Sequence, residues 1–153
     1  MALSKEGYKS RIIDEKIAKA LKVFGAISIE GPKMCGKTWT SLNHANSVVY
    51  LNNVNNNYNE RNLAKMDINL ILNKNYPELI DEWQEVPAIW DGIRFKCDED
   101  YVRGKYILTG SATPVTHEIH HSGAGRICRL KMYTMSLYES GDSTRRSISK
   151  RFI

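Results

Sequence analysis

The chain has no apolar run near the roughly 20 residues that a membrane-spanning helix needs. Its first residues, Met-Ala-Leu-Ser-Lys-Glu, lack the apolar stretch of a secretory signal. Both absences argue against membrane insertion, and the expected location is the cytoplasm. Cysteine is scarce as well. Cys35, Cys97 and Cys128 are odd in number and far apart, with no metal-ligand spacing, so reduced thiols are expected. An excess of either sign of charge is missing from most of the chain. The net charge is +5, but Arg145, Arg146, Lys150 and Arg151 lie in the last ten residues, which hold no acid. The other 143 residues carry only +1. A nearly neutral body does not support nucleic acid as a partner, and residues 143–153 are expected to be a basic, disordered tail.

What remains is ordinary for a globular domain: 153 residues, 42% of them hydrophobic and 25% charged, enough for one substantial core. One stretch is not ordinary. Gly31-Pro32-Lys33-Met34-Cys35-Gly36-Lys37-Thr38 fits G-x-x-x-x-G-K-[ST], the phosphate-binding P-loop. The apolar run Ala26 to Ile29 before it reads as a buried strand, and Thr38 to Ala45 after it can form a helix. Glycine lets the backbone approach an anion closely, and successive N–H groups at the helix start can cradle phosphate oxygens. Lys37 would then meet the β- and γ-phosphates, and the Thr38 hydroxyl would coordinate Mg²⁺. Cys35 lies inside this loop, where a small residue of modest reactivity is the simpler reading.

Around the loop, apolar spacing predicts alternating helices and strands. Ile12, Ile13, Ile17, Ala20, Leu21 and Phe24 make an amphipathic helix over residues 7–24. Ser47 to Leu51 is a strand, residues 52–59 an asparagine-rich loop, and Glu60 to Met66 a short helix. Glu78-Leu79-Ile80-Asp81-Glu82-Trp83 runs from apolar residues into two acids, the pattern of a Walker B strand. Asp81 would hold Mg²⁺ through its water shell, and Glu82 would orient and deprotonate an attacking water. Pro87 suits the first turn of a helix reaching Cys97, with Trp83 and Trp90 as packing residues.

Lys105 to Ser111 is a further buried strand. Ligands of open α/β sheets sit off strand C-termini, so Thr109 or Ser111 could sense the γ-phosphate, and Ser111 is preferred because it extends further. His117-Glu118-Ile119-His120-His121 matches the zinc-protease string H-E-x-x-H. Gly123 would cut such a helix short and no further histidine follows, so a polar loop beside the nucleotide site is the adopted reading. The alternating run Ile127 to Met135 predicts a final strand. Arg126, behind the Gly123-Ala124-Gly125 turn, could deliver a guanidinium to a phosphate.

Taken together, Ile29-Glu30-Gly31-Pro32 leading into Gly36-Lys37-Thr38, then Leu79 to Gln84, Leu108-Thr109-Gly110-Ser111 and Gly123-Ala124-Gly125-Arg126, resemble the predicted AAA+-type ATPases of bacteria and archaea. Met135 to Gly141 also looks like that family's continuation, so the likeness covers about residues 7–142. It implies an α/β fold, a three-layer P-loop sandwich with a mostly parallel sheet of about five strands, binding ATP and Mg²⁺. It also implies a sensor at Ser111 and a phosphate-directed Arg126, acting in cis or from a neighbour. Such chains usually continue into a C-terminal domain, whereas Ser143 to Ile153 does not look like the family. A truncated member is therefore expected, with residues 1–142 as the core. Its expected partners are further copies of itself or a protein supplying that domain. The leading expectation is a Mg²⁺-dependent NTPase that hydrolyses ATP. The alternatives are a nucleotide-binding module without turnover, and a P-loop kinase for which Arg126 and Arg129 are thin lid candidates.

Overall fold

The apolar runs become five strands: β1 (Ala26–Glu30), β2 (Ser47–Tyr50), β3 (Glu78–Asp81), β4 (Tyr106–Gly110) and β5 (Ile127–Lys131). They come from a computed structural model that describes residues 6–72, 75–111 and 125–142. The sheet order is β2-β3-β4-β1-β5, and every neighbouring pair is parallel. Parallel neighbours cannot be joined by tight hairpins, so the connections cross over and cover the sheet. The helices are α1 (Ile13–Val23), α2 (Lys37–Leu42), α3 (Asn59–Met66), α4 (Ala88–Glu99) and α5 (Leu137–Ser140).

Strand alternation assigns the two faces. Ile27, Ile29, Leu79 and Ile107 pack with Ile13, Ile17 and Ala20 of α1 and Leu42 of α2. Ile80, Tyr106 and Leu108 pack on the other side with Ala64 of α3 and Ile89, Trp90 and Ile93 of α4. The fold is thus the expected three-layer α/β sandwich. β1 and β4 are buried at every residue, as central strands covered on both faces must be. Trp83 and Trp90 meet with ring centroids 5.0 Å apart, which makes them packing residues. No helix among the described residues is long and apolar enough to cross a membrane.

Two elements are shorter than their sequence pattern. The helix expected over residues 7–24 starts only at Ile13. Tertiary hydrogen bonds hold the residues before it in an arm. The Tyr8 hydroxyl reaches the Asp14 carboxylate (2.7 Å) and Thr40 (3.2 Å), and Arg11 reaches Glu139, Cys35 and Tyr133. The strand expected to run to Met135 ends at Lys131. Its pairing partner β1 ends at Glu30, so the last bond on that side is Met132 N–H to the Glu30 carbonyl (2.7 Å). The chain then turns into α5. Ser136 and Glu139 cap that helix reciprocally. The H-E-x-x-H string at His117–His121 and the basic tail lie outside the described residues.

Glu139 closes this end of the core. Burial pushes its carboxyl pKa up, but N–H groups of Ser136 and Ile12, the Arg11 guanidinium and the Ser136 hydroxyl together outweigh that. The value is held at about 2 instead of the ordinary 4.5. A depressed carboxylate contributes stability above its unfolded value and loses it as pH falls through the folded one. Thermal melts should therefore show the wild type losing Tm more steeply than Glu139→Gln between pH 4.5 and about 2. Parallel acid limbs would refute this role for Glu139.

Candidate functional site

β1 delivers the chain to the C-terminal edge of the sheet, and Gly31 to Thr38 wrap from there into α2. Two glycines are needed for this turn. A Cβ on Gly31 would sit 2.3 Å from the Met132 carbonyl oxygen, and Gly36 holds φ +97° immediately before α2. Pro32, Lys33 and Met34 are exposed at the rim, whereas Cys35 and Lys37 are buried. The Lys37 ammonium donates to the carbonyls of Gly31 (3.0 Å) and Pro32 (2.8 Å) and lies 4.0 Å from Cys35 Sγ. It therefore closes the loop on itself.

A polar chain crosses from α2 to the ends of β3 and β4. Thr38 Oγ1 and Thr109 Oγ1 each donate to Asp81 Oδ1, both at 2.7 Å. The Glu82 N–H in turn donates to Thr109 Oγ1 (3.1 Å). Glu82 adopts the left-handed conformation, φ 59° and ψ 51°, which costs a non-glycine residue about 1 kcal/mol. The Thr109 bond helps hold that turn, and the Gln84 amide donates to the Glu82 carboxylate. The charge of Asp81 is felt nearby, since burial first and Asp81 second push the Tyr50 phenol pKa up. Lys37, Thr38, Glu82 and Ser111 all line one cleft of about 810 Å³ beside the loop.

This arrangement matches a known family. Residues 24–141 fit the model of a family described as "AAA domain". The chain belongs to that family. It is accordingly a P-loop NTPase of the AAA+ type. No curated protein matches the sequence. Among solved structures, a Thermotoga maritima RuvB variant is 17% identical, with a TM-score of 0.46, covering 98% of this chain and 54% of the other. The FIGL-1 AAA domain in complex with ADP is 14% identical, also at TM-score 0.46, covering 99% and 62%. This chain thus spans little more than half the length of those structures.

Two arginines of this AAA domain lie away from the cleft. Arg126 precedes β5, and its carbonyl accepts from the N–H of Ala26, the first residue of β1. It stands a full strand from the phosphate loop, roughly 16 Å at the usual rise per residue. Its guanidinium pairs there with Asp98 (2.7 Å). Within one chain, therefore, Arg126 does not reach the loop. A parallel sheet sends whatever precedes a strand to the end opposite whatever follows one. Arg129 is 3.5 Å from Glu30 and stacks over Trp90. Arg126 and Arg129 thus pair with Asp98 and Glu30 respectively.

The donor set of the AAA domain suits magnesium better than a caged metal. Among the described residues no cluster of three His, Cys, Asp or Glu side chains could hold an ion. Mg²⁺ asks for less: one or two protein oxygens, with substrate phosphates and water completing its octahedron. The adjoining Thr38 hydroxyl and Asp81 carboxylate fit that demand.

Thr109 is the residue that sequence reasoning weighed and passed over. It is fully buried and level with Asp81, one step beyond the Ile80–Leu108 pair, while Ser111 lines the cleft. Register between strands carries that distinction. Replacing Thr109 by Val should lower stability by about 1–3 kcal/mol in urea unfolding, because Glu82 N–H loses its acceptor. Thr109→Ser should restore most of it, and a valine variant with the wild-type midpoint would refute the assignment.

Proposed function

We propose that this AAA domain binds ATP with Mg²⁺ and hydrolyses it to ADP and phosphate. The observation that carries the reading is the Thr38–Asp81 bond beside Glu82, on the cleft that the phosphate loop opens into. Lys37 binds the β- and γ-phosphates. Cys35 Sγ, among its present contacts, is a weak acceptor that a phosphate oxygen readily replaces. Thr38 and Asp81 hold Mg²⁺, which when bound neutralises charge on the phosphates. Glu82 orients a water toward the γ-phosphate and takes its proton, and Ser111 contacts the γ-phosphate as sensor. Pro32, Lys33 and Met34 form the outer turn of the loop, and the N–H groups of Gly31, Lys33, Met34, Cys35 and Gly36 surround the anion, Pro32 having none to give.

On the other flank of the loop, a cleft of about 290 Å³ is lined by Tyr8, Met34, Trp39 and Met135, among others. Flat and apolar side chains there suit the nucleobase.

Arg126 enters this reading from a neighbouring copy. It is exposed at the far end of the sheet, which supports action on a second chain rather than its own. Its role is to stabilise charge on the transferred phosphate.

Phosphate release should fall in Glu82→Gln by at least about a hundredfold while MgATP binding persists, as for loss of a general base. Lys37→Ala should lose ATP binding itself, measured by calorimetry. Binding without turnover in the wild type would leave a nucleotide-binding module, and no binding would end the reading. Arg126→Ala and Glu82→Gln, each inactive alone, should regain part of the activity on mixing. Mixtures as inactive as their components, in a chain that self-associates, would exclude the action of Arg126 on a second copy.

A further inference from the structure

Arg11, in the N-terminal arm, borders the smaller cleft beside Cys35 and Gly36 and has no catalytic step in the reading above, yet it is 7% exposed. Its planar guanidinium presents donors in fixed directions, and three are matched to acceptors on separate parts of the chain. Nε donates to Glu139 Oε2 in α5 (2.8 Å), Nη1 to the Cys35 carbonyl inside the phosphate loop (2.7 Å), and Nη2 to the Tyr133 carbonyl after β5 (2.7 Å). Glu139 is itself fixed, because Oε2 also accepts from Ile12 N–H (2.9 Å) and Oε1 from Ser136 N–H (2.9 Å). The ion pair is buried on both sides, with 5% and 9% of the side chains exposed.

The contact with Cys35 has a consequence for the loop. The Cys35–Gly36 peptide is a rigid trans plane, so its C=O and N–H point in opposite directions. Turning the carbonyl toward Arg11 turns the Gly36 N–H away from it. Gly36 adopts a backbone conformation that other residues rarely take, and a Cβ there would lie 3.0 Å from Arg11 Nη1. A side chain at this position would therefore crowd the guanidinium.

We infer that Arg11, anchored by Glu139, is a positioning residue that holds the Cys35–Gly36 peptide in its phosphate-accepting orientation. It thereby ties the order of the loop to α5. The inference rests on the nucleotide reading for the identity of the anion, but the clamp on the loop is a separate physical claim. A lysine cannot replace it, since one ammonium on a flexible stem does not reproduce three donors in one plane.

The test uses the full chain as wild type, Arg11→Lys and Glu139→Gln, with iodoacetamide labelling of each cysteine followed by peptide mass spectrometry. Cys35 is 4% exposed, whereas Cys97 and Cys128 sit elsewhere in the fold and serve as internal controls. In both variants Cys35 should label roughly tenfold faster, as a local opening that leaves the other two thiols unchanged. All three thiols accelerating together would make Arg11 a general stabiliser and overturn the proposal, as would an unchanged Cys35. Should Arg11→Lys not fold, Glu139→Gln decides, because its amide oxygen can still accept from a backbone N–H. In parallel, the Kd for MgATP should rise roughly tenfold in the variants, and selective Cys35 labelling with an unchanged Kd would overturn the link to phosphate binding. Labelling needs no nucleotide. A wild type that binds no ATP would therefore sink the functional reading while the thiol rates still judge the clamp.

Discussion

One carboxylate oxygen holds the site together. Asp81 Oδ1 accepts the hydroxyls of Thr38 and Thr109, and so joins the first turn of α2 to the ends of β3 and β4. Asp81 is mostly buried at the end of a fully buried strand, where a charge is tolerated only with close partners. Both hydroxyls are short side chains on regular elements, which keeps the geometry stiff. Without that junction, the phosphate loop and the acidic turn at Glu82 would be two independent features of the sheet edge.

The loop is fixed from two sides, by different chemistry. On the inside, Lys37 bridges the carbonyls of Gly31 and Pro32, and an incoming phosphate would compete for the same ammonium. On the outside, Arg11 takes the Cys35 carbonyl, backed by Glu139. The inner cation belongs to the ligand's side of the loop and the outer one to the scaffold. Gly31 must be glycine because the backbone of Met132 passes against it. The stretch after β5 therefore shapes the loop from a hundred residues away in sequence.

Much of this is legible in the sequence alone. Gly31 to Thr38 carry a motif whose spacing encodes a local conformation, and Glu78 to Glu82 place two acids at a strand end. Five apolar runs read as strands between helical stretches, and the family resemblance implied the α/β sandwich in which such strands are covered by helices on both faces. The over-long readings at residues 7–24 and 127–135 failed for one reason. Periodicity reports which residues can face a core, but a helix gives way when Tyr8 and Arg11 find tertiary partners, and a strand stops where its neighbour stops.

The sequence by itself determined the residue types at the centre: the glycines and lysine of a phosphate-loop motif, the hydroxyl that follows it, and two acids at a strand end. The phosphate loop and the Asp81-Glu82 pair each depend on residues adjacent along the chain, whereas the meeting of Thr38 with Asp81 joins segments 43 residues apart. Only the tertiary structure decided that Thr109 rather than Ser111 meets Asp81, that Arg126 lies beyond reach of its own loop, and that Arg11 grips it. Those three depend on register and direction across a parallel sheet. Such relations are fixed by how distant segments pack, and no local pattern carries them.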